Sequence, residues 1–178
     1  MTFLNVALAF GAAAVAGRLL GLKDDSFVHA LGIAGSQTSG SMEYLAQGAW
    51  TKRLHPGWAS HSGIWAALLA KAGYTGPATI LEGRDGFLQA YSGDPDPSLV
   101  LADLGAEYQI TRTSVKPHTC CRFKQGPIDC LIDLRNSYGI DPMDVAEVRV
   151  GVLSAGMKLV SDPIEAKRTP VSVVDMQF

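Results

Sequence analysis

Apolar positions recur at helical spacing through the first half of the chain. Residues 3–21 are almost entirely apolar and predict a helix that packs among other helices, because a helix that is apolar on every side needs neighbours on every side. Residues 24–34 predict a second helix, which begins at a pair of aspartates suited to an N-terminal cap. A third helix is predicted over residues 56–72, since proline favours the first turn of a helix and glycine often follows its end.

Period-two alternation replaces the helical spacing in the second half. It predicts strands over residues 107–115 and 145–155, and residues 127–139 between them predict a helix that ends at a glycine. The turn-forming sequence GDPDPS separates the two halves. We therefore expect an α+β chain, with part of an all-helical domain over residues 1–106 and the start of a smaller α+β domain over residues 107–178.

The composition narrows the classes of function. Hydrophobic residues make up 47% of the 178 residues and charged residues 18%, which indicates a folded core. A net charge of −2 lacks the basic surface that nucleic-acid binding needs. Three cysteines, two of them adjacent, form neither a disulfide framework nor the paired spacing of a zinc site, which favours reduced thiols in the cytoplasm. The apolar N-terminal stretch lacks the basic start of a signal peptide and is short for a membrane span, so we expect no membrane association.

The sequence TKRLHPGWASHSG gathers the first group of titratable residues, Lys52, His55 and His61. A lysine among apolar walls serves as a general base, and a charged lysine binds a substrate carboxylate. Histidine suits acid–base chemistry near neutral pH. The plainer alternative is a solvated lysine at a helix start and a hydrogen-bonded core histidine.

A second group lies in SVKPHTCCRFKQGPID, where Lys116, His118, Cys120, Cys121 and Arg122 precede or open a predicted helix. Cations at a helix N-terminus suit an anionic ligand, and a thiol in that setting is open to activation. An ordinary polar loop with two small thiols is the alternative. The run GSQTSGS either contacts a ligand or lets two helices approach, and it lacks the spacing of a phosphate-binding loop.

Six segments occur in an order that resembles the MmgE/PrpD family: GAAAVAGRLLGL, ALGIAGSQTSGSMEYL, TKRLHPGWASHSG, GYTGPATILEGRDGF, VKPHTCCRFKQGPID and RTPVSVVDMQF. This family includes 2-methylcitrate dehydratase, cis-aconitate decarboxylase and iminodisuccinate epimerase. The resemblance covers essentially the whole chain. It implies a large helical domain, a smaller α+β lid and a site in the cleft between them. It also implies a homodimer that acts on small di- or tricarboxylates without a metal or an organic cofactor.

The resemblance also assigns residues. The lysine of the family's K-x-x-H-x-G motif falls on Lys52, His55 and His61 match its histidines, and the lysine that opens the later motif falls on Lys116. We expect these four to be catalytic, the lysines as carboxylate clamps or base and the histidines as acid–base or positioning groups. The expected substrate-binding residues are Lys52, Lys116, Cys121 and Arg122.

Departures from the family pattern refine the expected reaction. Decarboxylase-like members carry a histidine where this chain has Cys121, and a tyrosine where Leu159 is aligned. Both differences favour hydration and dehydration over decarboxylation. Family chains also begin earlier and continue further, so we expect an internal piece of such a chain. It is then either part of an enzyme completed by another family chain or a non-catalytic remnant.

Overall fold

A computed structural model describes residues 3–44 and 49–160, without the side chains of residues 3–6 and 158–160. The contacts of the chain divide it into two compact units, Met1–Tyr108 and Gln109–Phe178. The predicted segment RTPVSVVDMQF and the side chain of Leu159 lie outside the described part. Each unit is described in turn.

The described part of the first unit packs around the helices α1 (Phe3–Leu19), α2 (Asp24–Ser36) and α3 (Thr51–Lys71). Their shared core is made mostly of alanine, which lets helix axes come close together. Its buried members are Ala13, Ala30, Ile33, Ala34, Ala66, Ala67 and Ala70. The predicted apolar first helix and the second helix are confirmed, and α1 still exposes 63% of Val15 and 83% of Leu19.

Glycines mark the closest contacts in this unit. A Cβ on Gly63 of α3 would lie 2.6 Å from the Cβ of Ala12 in α1. A Cβ on Gly32 of α2 would lie 2.8 Å from the backbone nitrogen of Pro77. Both distances are far below ordinary carbon contacts. The helices and the 76–77 segment therefore meet backbone against backbone at these points.

The remainder of the first unit is short helix and turn. It contains α4 (Phe87–Tyr91) and a 3-10 helix over Pro97–Val100. The carboxylate of Asp96 caps the 3-10 helix by accepting from the backbone N–H of Ser98 at 2.9 Å. The GDPDPS sequence thus forms a turn followed by a helical start, as predicted.

The second unit is organised around α5 (Arg122–Tyr138). A 3-10 turn over Gln109–Arg112 precedes this helix, and another over Pro142–Asp144 and the short α6 (Ser154–Val160) follow it. Gly139 ends α5 in the left-handed conformation, φ 60° and ψ 34°, which costs glycine no steric penalty. The predicted end of this helix is therefore confirmed.

The predicted α+β class is wrong, because residues 3–44 and 49–160 contain no β-strand. Residues 107–115 are exposed along their whole length and include the 3-10 turn Gln109–Arg112. The alternation of apolar and polar residues there therefore does not divide a buried face from an exposed one. Val145 is extended, but residues 145–153 pair with no other strand in the described ranges. A strand needs a hydrogen-bonded neighbour, which alternation alone does not supply. The described part of the second unit is thus helix and irregular chain, not an α+β lid.

Two helices begin earlier than the prolines predict. In α3 and α5, Pro56 and Pro127 are each the sixth residue of the helix rather than the first. No described helix is long and apolar enough to cross a membrane.

Candidate functional site

The first turns of α3 bring Lys52 and His55 together. Both side chains are partly buried, and a spacing of three residues places them on adjacent positions of one helix face, about 60° apart. Trp50 precedes the helix without a side-chain cap, and Arg53 lies 6.0 Å from the Trp50 ring. The cationic residues Lys52 and Arg53 therefore lie in the first turn of α3.

His55 packs against the segment that joins α2 to α3. A Cβ on Gly40 would lie 3.3 Å from His55 Nδ1, and the ring of Tyr44 meets the imidazole edge to face at 5.7 Å. Tyr44 is itself only 5% exposed. Among the residues that the structure describes, none hydrogen bonds to the buried Nδ1 of His55. Buried polar atoms are nearly always paired, so such a nitrogen points to a ligand or to proton transfer.

The GSQTSGS run forms the neighbouring wall. Thr38, Ser39, Gly40, Ser41 and Met42 line an open depression of about 460 Å³ together with Tyr91. The Tyr91 hydroxyl donates to the carbonyl of Thr38 at 3.1 Å and fixes this segment to α4. The sequence left open whether this run contacts a ligand or lets two helices approach. In the structure its Gly40 packs beside the imidazole of His55.

His61 does not join this group. It lies nine residues after Lys52, which is roughly 180° around the helix, and about 120° from His55. Its ring is exposed and stacks on Trp58 at 5.1 Å with the two planes 17° apart. The structure therefore separates the three residues that the sequence grouped, with Lys52 and His55 on one side and His61 on another.

The second unit carries Lys116, Cys121 and Arg122. Lys116 and Arg122 are exposed, and Cys121 is partly buried at the N-cap of α5. These side chains lie on or next to the segment that enters α5. The two sets of predicted residues belong to different units, each of which is described by itself.

Two residues of α5 that the sequence did not single out hold this entry segment. The side-chain carbonyl of Gln125 accepts from the backbone N–H of His118 at 3.0 Å, and its amide lies 3.0 Å from the Cys120 thiol. Asp129 Oδ1 lies 2.7 Å from His118 Nε2. A spacing of four places Gln125 and Asp129 on one helix face. The spacing of four between Gln125 and Asp129, directly after a segment rich in cations, is the feature of the sequence from which these two residues could have been predicted.

A cavity in the second unit is not lined by the predicted residues. It measures about 760 Å³, lies between α5 and residues 140–151, and has mainly apolar walls such as Leu131, Leu134 and Val148. Its walls suit apolar groups better than a tricarboxylate. Among the described residues, no group of three or more His, Cys, Asp or Glu side chains is arranged to hold a metal ion.

Comparison with known proteins identifies the family to which the chain is similar. Residues 4–100 match the MmgE/PrpD N-terminal domain. A cis-aconitate decarboxylase-like protein of Aspergillus oryzae is 35% identical over 134 residues, which are 71% of this chain and 28% of that protein. A cis-aconitate decarboxylase of Aspergillus terreus is 34% identical over 129 residues, which are 68% of this chain and 26% of the enzyme. The chain thus spans about a quarter of the length of these relatives.

Proposed function

The chain belongs to the MmgE/PrpD family, and on that premise we propose that it carries a lysine–histidine element of a lyase acting on small di- or tricarboxylic acids. The observation that carries the proposal is the buried Nδ1 of His55, one turn along α3 from Lys52, to which no residue of the described ranges hydrogen bonds. Family membership and the cis-aconitate decarboxylase-like relatives support lyase-type chemistry. The reaction and the acid are the proposed part.

Hydration and dehydration of a hydroxy-acid is the reaction we propose. Dehydration removes a proton from the carbon next to a carboxylate and expels hydroxide from the neighbouring carbon. A base must accept the proton, an acid must protonate the leaving oxygen, and cations must balance the charge that develops on the carboxylate. His55 supplies an imidazole that acts as the acid or the base, and Lys52 supplies either the cation or the base.

The remaining predicted residues are assigned lesser roles in the same proposal. Lys116 and Arg122 provide carboxylate-binding cations, Arg122 by a paired hydrogen bond. Cys121 contributes a small neutral contact beside them. Because His61 is exposed and stacked on Trp58, it is proposed as a positioning group rather than as an acid or base.

Decarboxylation of a tricarboxylate is the second candidate. The names of the relatives from both Aspergillus species favour it. Cys121 stands against it, since a thiol in a partly buried position replaces the histidine expected in decarboxylase-like members. Both reactions use the same class of acid, so one set of assays separates them.

A complementing polypeptide belongs to the proposal as well. Since the chain matches only about a quarter of each relative's length, we propose that it acts as a homodimer or with another family chain. We propose catalysis without a metal or an organic cofactor. A chain that has no activity alone and none with any family partner would be a non-catalytic remnant.

The decisive experiment is turnover by the purified 178-residue chain, alone and mixed with a protein encoded beside its gene. Dehydration of 2-methylcitrate is followed by the absorbance of the new double bond, and decarboxylation of cis-aconitate by carbon dioxide release. Dehydration supports the first proposal, and carbon dioxide release supports the second candidate. No turnover under any of these conditions would refute both.

Matched variants test the residue roles. Lys52→Ala and His55→Gln should each lower kcat/KM by about 100-fold or more, the usual contribution of an acid–base or charge-stabilising group. His61→Gln, which alters a proposed positioning group, should lose less activity than His55→Gln. Lys71→Ala, at the other end of α3, is the control and should stay within a few-fold of the parent chain. Equal losses in His55→Gln and His61→Gln would contradict the separation that the helix imposes.

A further inference from the structure

The side chain of His118 is held by a carboxylate eleven residues away. His118 Nε2 and Asp129 Oδ1 are 2.7 Å apart, with the side chains 25% and 56% exposed. The contact joins the segment before α5 to the second turn of that helix. Such a distance is typical of a hydrogen bond to an ionised acceptor.

The backbone around His118 is fixed from the same helix. Gln125 is only 4% exposed. Its side-chain oxygen accepts from the backbone N–H of His118 at 3.0 Å. Its side-chain nitrogen donates to the backbone carbonyls of His118 at 3.0 Å and Cys120 at 3.2 Å. The main chain and the ring of His118 are therefore both anchored to α5, which leaves the ring little freedom to turn.

The partner of Nε2 decides which ring nitrogen is basic. An ionised carboxylate only accepts hydrogen bonds, so Nε2 must carry the proton. In the neutral imidazole the lone pair then lies on Nδ1. A histidine whose orientation and tautomer are set by a carboxylate is the arrangement that proton-transferring enzymes use for a general base.

We propose that His118 is a further acid–base residue of the lyase, with Nδ1 as the atom that accepts and returns the proton, and that Asp129 is its positioning residue. The inference rests on the proposed function and adds a proton-transfer group to the segment that carries Lys116 and Cys121. In the step, Nδ1 takes the proton from the carbon next to the substrate carboxylate as hydroxide leaves. The proton passes back when water adds in the reverse direction.

The first test needs no catalytic activity. Long-range 1H–15N spectra of the whole chain, at a pH where its imidazoles are neutral, report the tautomer of each of the four histidines. The signal of His118 is assigned from its loss in His118→Gln. The Nε2–H form should exceed the other by about tenfold or more, the equivalent of one hydrogen bond to a charged group.

Asp129→Ala should lower the ratio of the Nε2–H form to the Nδ1–H form several-fold, and Asp133→Ala, one turn further along α5, should leave that ratio unchanged. Both aspartates are exposed helix residues, so both variants are expected to fold. An Nδ1–H form in the parent chain, or an unchanged ratio of the two forms in Asp129→Ala, would overturn the proposal whatever the chain catalyses.

The second test is kinetic and uses the chain, with its partner where one is needed. His118→Gln should lower kcat by roughly 100-fold with little change in KM. Asp129→Ala should lower kcat by about tenfold, with partial recovery in Asp129→Asn, whose amide oxygen still accepts from Nε2. Turnover by the parent chain together with full activity in His118→Gln would overturn this inference and leave the proposed function intact. Absence of turnover in the parent chain would overturn both.

Discussion

Replacing Gly63 with alanine puts a methyl group at the closest approach of α1 and α3. The new Cβ would lie 2.6 Å from the Cβ of Ala12 and 2.7 Å from the backbone nitrogen of Ala13. Carbon atoms in contact normally sit about 3.5–4.0 Å apart, so the helices must separate by roughly 1 Å. The opposing atoms are backbone and a single methyl group, neither of which can rotate out of the way. The strain must therefore be relieved by moving whole helices that share an alanine core.

Gly57 provides a matched control for the size of this effect. It lies in the same helix, and a Cβ there would meet nothing within 4 Å. Either substitution gains about 0.8–1.0 kcal/mol of helix propensity. In Gly63→Ala this gain is offset by overpacking, which costs about 1–3 kcal/mol. Because the propensity gain is common to both, the difference between the two variants measures the packing cost alone.

Thermal unfolding of the whole chain, followed by its helical circular dichroism, gives that difference. With about 2–4 °C of Tm per kcal/mol for a chain of this length, Gly57→Ala should melt about 2–4 °C above the parent chain. Gly63→Ala should melt roughly 2–12 °C below Gly57→Ala. The carbonyl oxygen of Ala9 also lies against the new Cβ, so Ala12→Gly removes one of three opposing atoms. The double variant Ala12→Gly with Gly63→Ala should therefore lose less stability than the sum of the two single changes, as expected for residues in direct contact. If Gly63→Ala melts at or above Gly57→Ala, the close packing of α1 on α3 is refuted.

Two further substitutions test other points of the structure. Gly40→Ala introduces a side chain at φ 154° and 3.3 Å from His55 Nδ1. It should cost about 1–3 kcal/mol in urea unfolding and shift the His55 ring signals in NMR spectra, and unchanged signals would contradict the contact. The Ser98 hydroxyl, and then its backbone N–H, donate to Asp96 and lower the pKa of that carboxyl. Any stability from this cap is therefore present at neutral pH and is lost as the pH falls through the lowered pKa. Ser98→Ala should raise the Asp96 pKa in an NMR titration while leaving it below its ordinary value, because the backbone donor remains.

The helical half of the fold could be predicted because its signals are local. The apolar run of α1, the aspartates in the first turn of α2 and the glycine after α5 each act within one turn of where they stand, although the N-cap of α2 is Lys23 and not an aspartate. The strands could not be predicted in the same way. Alternation in residues 145–155 describes one segment, whereas a strand is a relation between two segments that depends on what lies beside it. The described part of the chain supplies no such neighbour.

The position of the prolines explains both errors in helix starts. The first four N–H groups of a helix have no partner within it, which makes proline harmless in the first turn. Pro56 and Pro127 are each the sixth residue of their helix, so each forgoes one hydrogen bond near the helix end. Helices of 21 and 17 residues keep most of their other hydrogen bonds and tolerate that loss. Proline therefore marks the neighbourhood of a helix start without fixing the residue.

This small error in α3 also decides how its titratable residues are grouped. If the helix began at Pro56, Lys52 and His55 would lie in irregular chain, with no defined direction relative to His61. Because α3 begins at Thr51, helical geometry sets all three: Lys52 and His55 share a face, and His61 points away to Trp58. His55 is contacted by Gly40 and Tyr44 from the segment before α3, and the His118 ring is contacted by Asp129 from α5. Each contact joins residues that are eleven or more positions apart in sequence. The sequence therefore indicated the residue types that the proposed acid–base chemistry needs, and the helix starts and these longer contacts determine which of them lie near one another.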